Sequence, residues 1–210
     1  MARKAEYTKE EMRRLVLTAA ESMMSKDGVE GFSVRTLAKK IGFAPGSLYL
    51  HFKDVDDIVN HLNAATLKRL AKALEAVKNG AGPEDTLHRY AQAYVAFVEK
   101  NRNLWDAMFK YRRSGSGAVP GWYRAAIEEL VVPVKRCFEE IAPPKTPGAS
   151  AQAAKMTWAS LHGICSLDAA RLRMIMVGDL LSTAAHLVDL HIAGYAAQMK
   201  RSGSPKRIKA

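Results

Sequence analysis

The sequence is poor in the features that mark several large protein classes. Only two of its 210 residues are cysteine, Cys137 and Cys165. Neither stands in a Cys-x-x-Cys pair or near a histidine at ligand spacing, so neither a disulfide framework nor a thiolate metal site organises the chain. Two readings of the thiols stay open: small buried apolar residues, or a redox-sensing cysteine. No histidine pair has helical ligand spacing. His186 and His191 are five apart and point to different faces of a helix, so no metal or other cofactor is expected. A long uninterrupted apolar run is missing too. The most apolar late stretch, Val177 to Ala197, carries Asp179, His186, Asp189 and His191, which suits a buried helix and not a membrane span. The opening Met1 to Tyr7 is charged and has no apolar stretch, which predicts no secretory signal, no membrane partner and a cytoplasmic location. Strand-period alternation and internal repeats are absent. No nucleophile–base pair, metal spacing or phosphate loop supports an enzyme.

Acidic residues are also in short supply. There are 21 Asp and Glu against 32 Lys and Arg, a formal net charge of +11. Such an excess favours a polyanionic partner, nucleic acid or an anionic surface. The surplus is concentrated at the two ends. Residues 1–53 hold Arg3, Lys4, Lys9, Arg13, Arg14, Arg35, Lys39, Lys40 and Lys53. The tail holds Lys200, Arg201, Lys206, Arg207 and Lys209 with no acid.

What is abundant is helical periodicity. Met12, Leu15, Val16, Ala19, Ala20 and Met23 recur at three and four residues, and Thr8 is placed to cap that helix. Similar stripes predict about nine helices: 8–26, a short one after Ser33, 45–52, 55–78, 84–100, 102–112, 122–141, 149–172 and 178–200. Pro133 falls inside the seventh and is expected to kink or divide it. The fold class is all-α: an N-terminal three-helix unit over 1–53 and a larger helical bundle over 54–210.

The stretch from Gly28 to Ile58 is the most informative. Two short amphipathic helices joined by a Gly-containing turn make a helix-turn-helix, whose second helix enters the major groove. A reading helix must be slim where it meets the groove floor, and Ala44, Pro45, Gly46 and Ser47 satisfy that. Phosphate contacts need hydroxyls, imidazoles and amines, and Ser33, Ser47, Tyr49, His51 and Lys53 supply them. The acids Asp54, Asp56 and Asp57 suit a helix N-terminus and not a metal site.

The order Gly28, Ser33, Arg35, Leu37, Ala38, then Gly42, Phe43, Gly46, Ser47, Leu48, Tyr49, His51, Phe52 resembles the opening of the TetR/AcrR family of bacterial regulators. The family usually has a lysine three residues after that phenylalanine. Val55 stands there here, and Lys53 is the nearest substitute. Trp158, His162 and Gly163 resemble the Trp-x-x-x-His-Gly signature of one C-terminal class in the same family. The resemblance implies that Ser33 touches phosphate, that Arg35 reaches a base, and that Ala44, Pro45, Gly46 and Leu50 face bases or thymine methyls. Ser47, Tyr49, His51 and Lys53 would hold the backbone. It implies a homodimeric, sequence-specific repressor on a palindromic double-stranded DNA operator, released by a small-molecule effector. Tyr94, Phe97, Trp105, Met108, Phe109, Trp158 and His162 are candidate effector contacts, with core packing as the alternative for each. Leu161, Leu180, Leu181, Ala184, Leu187, Val188 and Ile192 are candidate dimer contacts. The rival reading is a sequence-indifferent architectural DNA binder.

Overall fold

The computed structural model describes residues 7–111, 120–169 and 178–201. Nine helices lie among them: α1 (Lys9–Asp27), α2 (Val34–Ile41), α3 (Pro45–Leu48), α4 (Val55–Glu75), α5 (Pro83–Lys100), α6 (Arg102–Lys110), α7 (Gly121–Ile141), α8 (Ala149–Ala169) and α9 (Leu180–Arg201). The last residues of the expected sixth and eighth helices, at 112 and 170–172, lie outside the described residues. α4 stops at Glu75, three residues short of expectation. α7 runs through Pro133 without dividing.

The chain divides into two compact units. One comprises residues 1–68 and 101–124, the other 69–100 and 125–210. The first is larger than the segment 1–53 expected from sequence. Its inner layer joins Met12, Val16 and Ala20 of α1 to Leu37, Ala38, Leu48, Phe52 and Ile58. A second cluster brings Leu104 and Ala107 of α6 onto Met24, Val59 and Leu62. Both ends of α1 are closed by side chains. Thr8 Oγ1 accepts from the Glu11 N–H at 3.2 Å and the Glu11 carboxylate accepts from the Thr8 N–H at 2.8 Å. At the other end, Asn103 of α6 donates to the Ser25 carbonyl at 2.8 Å.

The second unit buries Tyr94 and Val95 of α5, Phe138 of α7, Leu161 and Cys165 of α8, and a full stripe of α9. That stripe is Leu180, Ala184, Val188, Ile192, Tyr195 and Met199, at the three- and four-residue spacing of one helix face. Tyr195 donates to the Ala142 carbonyl at 3.0 Å, and its ring meets Phe138 at 5.1 Å. His88 of α5 reaches Asp189 of α9 at 2.9 Å. Cys137 and Cys165 are both buried and free. Burial pushes the Cys137 thiol up to about 11. A redox sensor needs the opposite shift, towards thiolate, so the packing reading suits Cys137.

Candidate nucleic-acid interface

Ser33 opens α2 with a reciprocal cap. Its Oγ accepts from the Thr36 N–H and Thr36 Oγ1 accepts from the Ser33 N–H, both at 3.1 Å. The hydroxyl expected to touch phosphate therefore serves first as a cap, with a partner, Thr36, that the sequence pattern does not single out. Leu37 and Ala38 turn inward from α2, while Arg35, Lys39 and Lys40 are exposed.

Gly42 makes the turn at φ 77°, ψ 27°. A Cβ built there meets no atom within 4 Å. Gly42→Ala is thus expected to cost only the left-handed strain, about 1–2 kcal/mol, measured as the shift in urea unfolding. No change would mean that the turn relaxes without it.

α3 is shorter than the expected 45–52. Only Pro45–Leu48 is α-helical. The chain then continues to Phe52 in tighter turns, with Tyr49 N–H donating to the Gly46 carbonyl at 3.2 Å and His51 N–H to the Leu48 carbonyl at 3.0 Å. The His51 carbonyl, which a longer helix would offer to its own backbone, accepts from the Arg13 guanidinium instead. Leu48 and Phe52 anchor the segment at 1% and 2% exposure.

The outer side of this segment carries the residues proposed to meet DNA. Ala44, Pro45, Gly46 and Lys53 are exposed, and Ser47 is half-buried. Tyr49 is 48% exposed and Leu50 77%. His51 is half-buried, and its Nδ1 is buried without a hydrogen-bond partner. The neighbouring acids have local tasks. Asp54 Oδ1 accepts from the Asp57 N–H at 2.8 Å, Asp57 accepts from the Lys53 N–H at 3.1 Å, and Asp56 accepts from the Tyr111 hydroxyl at 2.8 Å.

This arrangement coincides with two family profiles. Residues 16–62 match "Bacterial regulatory proteins, tetR family". Residues 87–191, half the chain, match "Tetracyclin repressor-like, C-terminal domain". The chain belongs to the TetR family. It is accordingly a transcriptional regulator with a DNA-binding helix-turn-helix, not an enzyme. Solved structures share the TetR fold. A protein of unknown function from Rhodococcus sp. RHA1 is 24% identical with a TM-score of 0.68, covering 93% of this chain and 100% of its own. The transcriptional regulator FadR from Bacillus subtilis, solved with stearoyl-CoA, is 17% identical with a TM-score of 0.66, covering 86% and 98%. The TetR family regulator PfmR from Thermus thermophilus is 22% identical with a TM-score of 0.59, covering 85% and 97%.

In this TetR protein the expected effector contacts do not form one group. Tyr94 and Trp158 line an apolar pocket of the second unit with Leu74, Tyr90, Leu130 and Val134. Its volume is about 20 Å³, room for one water. Phe97 is buried outside that lining. His162 stacks on Trp158 at 5.9 Å and pairs with Ser166 at 3.2 Å. Trp105, Met108 and Phe109 belong to α6 and the first unit, where Trp105 is 1% exposed.

Most of the expected dimer contacts are packed within the single chain. Leu161, Leu180, Ala184, Val188 and Ile192 are buried within the single chain, and Leu187 is half-buried. Only Leu181 is exposed. The reason is that α9 has two apolar stripes, and α5 and α8 of the same chain cover the one with the larger side chains. The opposite stripe, Leu190, Ala193, Gly194 and Ala197, faces out, as do Met156, Ala159 and Gly163 of α8.

Among the described residues, no helix is long and apolar enough to cross a membrane.

Proposed function

We propose that the protein is a homodimeric repressor whose two helix-turn-helix units read a palindromic operator in the cytoplasm, and that an apolar small molecule releases it. Reading then belongs to residues 1–53, and effector binding and dimerisation to 54–210. The observation that carries the DNA half is the outer side of 44–53. Two large side chains, Tyr49 and Leu50, stand in solvent on a segment otherwise locked by Leu48 and Phe52. Two adjacent large side chains, exposed on a segment held from behind and next to basic residues, suit a surface that a partner covers. Arg35 and Lys53, both exposed, would add phosphate or base contacts in this reading.

The outward stripes of α8 and α9 support a second copy as partner. Met156, Leu190 and Gly194 line an open cleft of about 510 Å³. Added Cβ atoms at Gly163 and Gly194 would meet nothing within 4 Å, so both positions leave room for close helix approach. A two-fold dimer places two reading segments one helical turn of DNA apart.

The effector half is supported by the apolar pocket. Ligand sites span roughly 300–1,000 Å³, so an effector must swell this one. Leu130 and Val134 of its lining flank Pro133, where α7 lacks one backbone donor and bends most easily. α4 supplies Leu74 to the pocket and Val59 and Leu62 to the core of the first unit, which makes it the helix that an effector is proposed to shift. The Bacillus subtilis relative, solved with stearoyl-CoA, makes long apolar effectors the first to try.

The test is selection of duplexes from a random-sequence pool, followed by anisotropy at fixed ionic strength. The expected product is an inverted repeat. Tyr49→Ala should lower its affinity by about 10- to 100-fold, the range of one lost charge-assisted contact, with unchanged melting. Recovery of no consensus, with equal affinity for every duplex, would favour an architectural binder.

A further inference from the structure

We propose that Arg13 is a positioning residue for DNA reading, and that protonation of His61 releases its hold on the reading segment. This rests on the reading of residues 44–53 as the DNA interface. Arg13 of α1 makes three contacts at once. One amino group donates to the His51 carbonyl, at the end of that segment. The other lies 2.8 Å from His61 Nε2 on α4. The guanidinium also sits 4.3 Å over the Phe52 ring. One side chain thus fixes where the reading segment ends relative to α1 and α4.

A guanidinium has donors only, so His61 Nε2 must be the acceptor. That requires a neutral imidazole with its proton on Nδ1. The ring is held for this task. It stacks on Trp122 of α7 at 4.5 Å and 13°, and meets Phe52 edge-on at 6.0 Å. Two charged groups face it: Arg13 from α1, and Asp57 of its own helix at 3.5 Å. Phe52 and Trp122 present rings alone. A second proton would land on Nε2, the atom to which Arg13 donates. Two donors would then oppose each other, and Arg13 would withdraw from the His51 carbonyl as well.

The sign agrees. Burial and the Arg13 charge hold His61 below its ordinary 6.5, against the pull of Asp57. The unfolded chain therefore takes up the proton first, and the clamped arrangement loses stability as pH falls below that value. Acid should weaken DNA binding through His61.

Two measurements on the full chain decide the matter. NMR of the His61 ring, assigned by its loss in His61→Gln, should titrate below 6.5, with the midpoint raised in Arg13→Gln. A midpoint that stays put overturns the clamp. Anisotropy on the selected duplex should show wild-type affinity falling severalfold more than that of His61→Gln between about pH 7.5 and pH 5.5. Glutamine keeps an oxygen for Arg13 and cannot take up the proton. Parallel pH profiles overturn the proposal, even where Tyr49→Ala abolishes binding and so upholds the interface. If Tyr49→Ala binds like wild type, the interface reading and this inference fall together. If Arg13→Gln does not fold, the His61→Gln profile still decides.

Discussion

If the protein is the proposed homodimer, Leu190→Arg is expected to give monomers and to reduce affinity for the selected duplex by about 10²- to 10⁴-fold, the factor lost when two linked reading units become independent. Leu190 is 59% exposed on α9 and Met156 53% on α8, beside the small residues that allow close approach. An arginine there would have to be buried against an apolar surface without a partner charge. Within the single chain it displaces little, so melting measured on monomers should not fall. Sedimentation reads the association state and anisotropy reads the affinity. A variant that remains dimeric and binds normally would move the interface elsewhere.

Trp105→Ala should have the largest effect on stability. The indole is 1% exposed, with Phe109 at 5.5 Å and the Arg102 guanidinium 5.5 Å from its ring. Removing a fully buried aromatic costs about 3–5 kcal/mol. For a chain of this size, that lowers the melting temperature by roughly 6–20 °C. Calorimetry should place the loss in the unit that holds α1, α2 and α3. A variant that melts like wild type but no longer responds to an effector would return Trp105 to the ligand site and refute its role as core.

The helix-turn-helix was legible in sequence because its determinants are local. Leu37, Ala38, Leu48 and Phe52 mark the inward stripe, Gly42 supplies the turn, and Pro45 opens α3. Each acts within a few residues of its neighbours. Arg13 was not legible as a clamp, since its partners lie 38 and 48 positions away and no spacing rule connects them. The size of the first unit was hidden for the same reason, because Leu104 and Ala107 return from far along the chain. The orientation of α9 failed differently. Its stripes through Leu180 and through Leu190 are both apolar, so amphipathicity could not say which faces the chain's own core. The candidate effector residues mixed two aromatic sets that periodicity could not separate, Trp105 and Phe109 on one helix and Tyr94 and Trp158 on two others.

The exposure of Leu50 has a consequence for how the regulator behaves as salt changes. In the proposed interface, contacts made by Arg35, Lys53 and the other phosphate-facing groups would displace condensed counterions, and their contribution would shrink as the ionic strength rises. A leucine packed on a thymine methyl displaces none, and its contribution hardly changes. In that reading, raising salt lowers affinity for matching and non-matching duplexes alike, while the share of discrimination that the leucine supplies is kept.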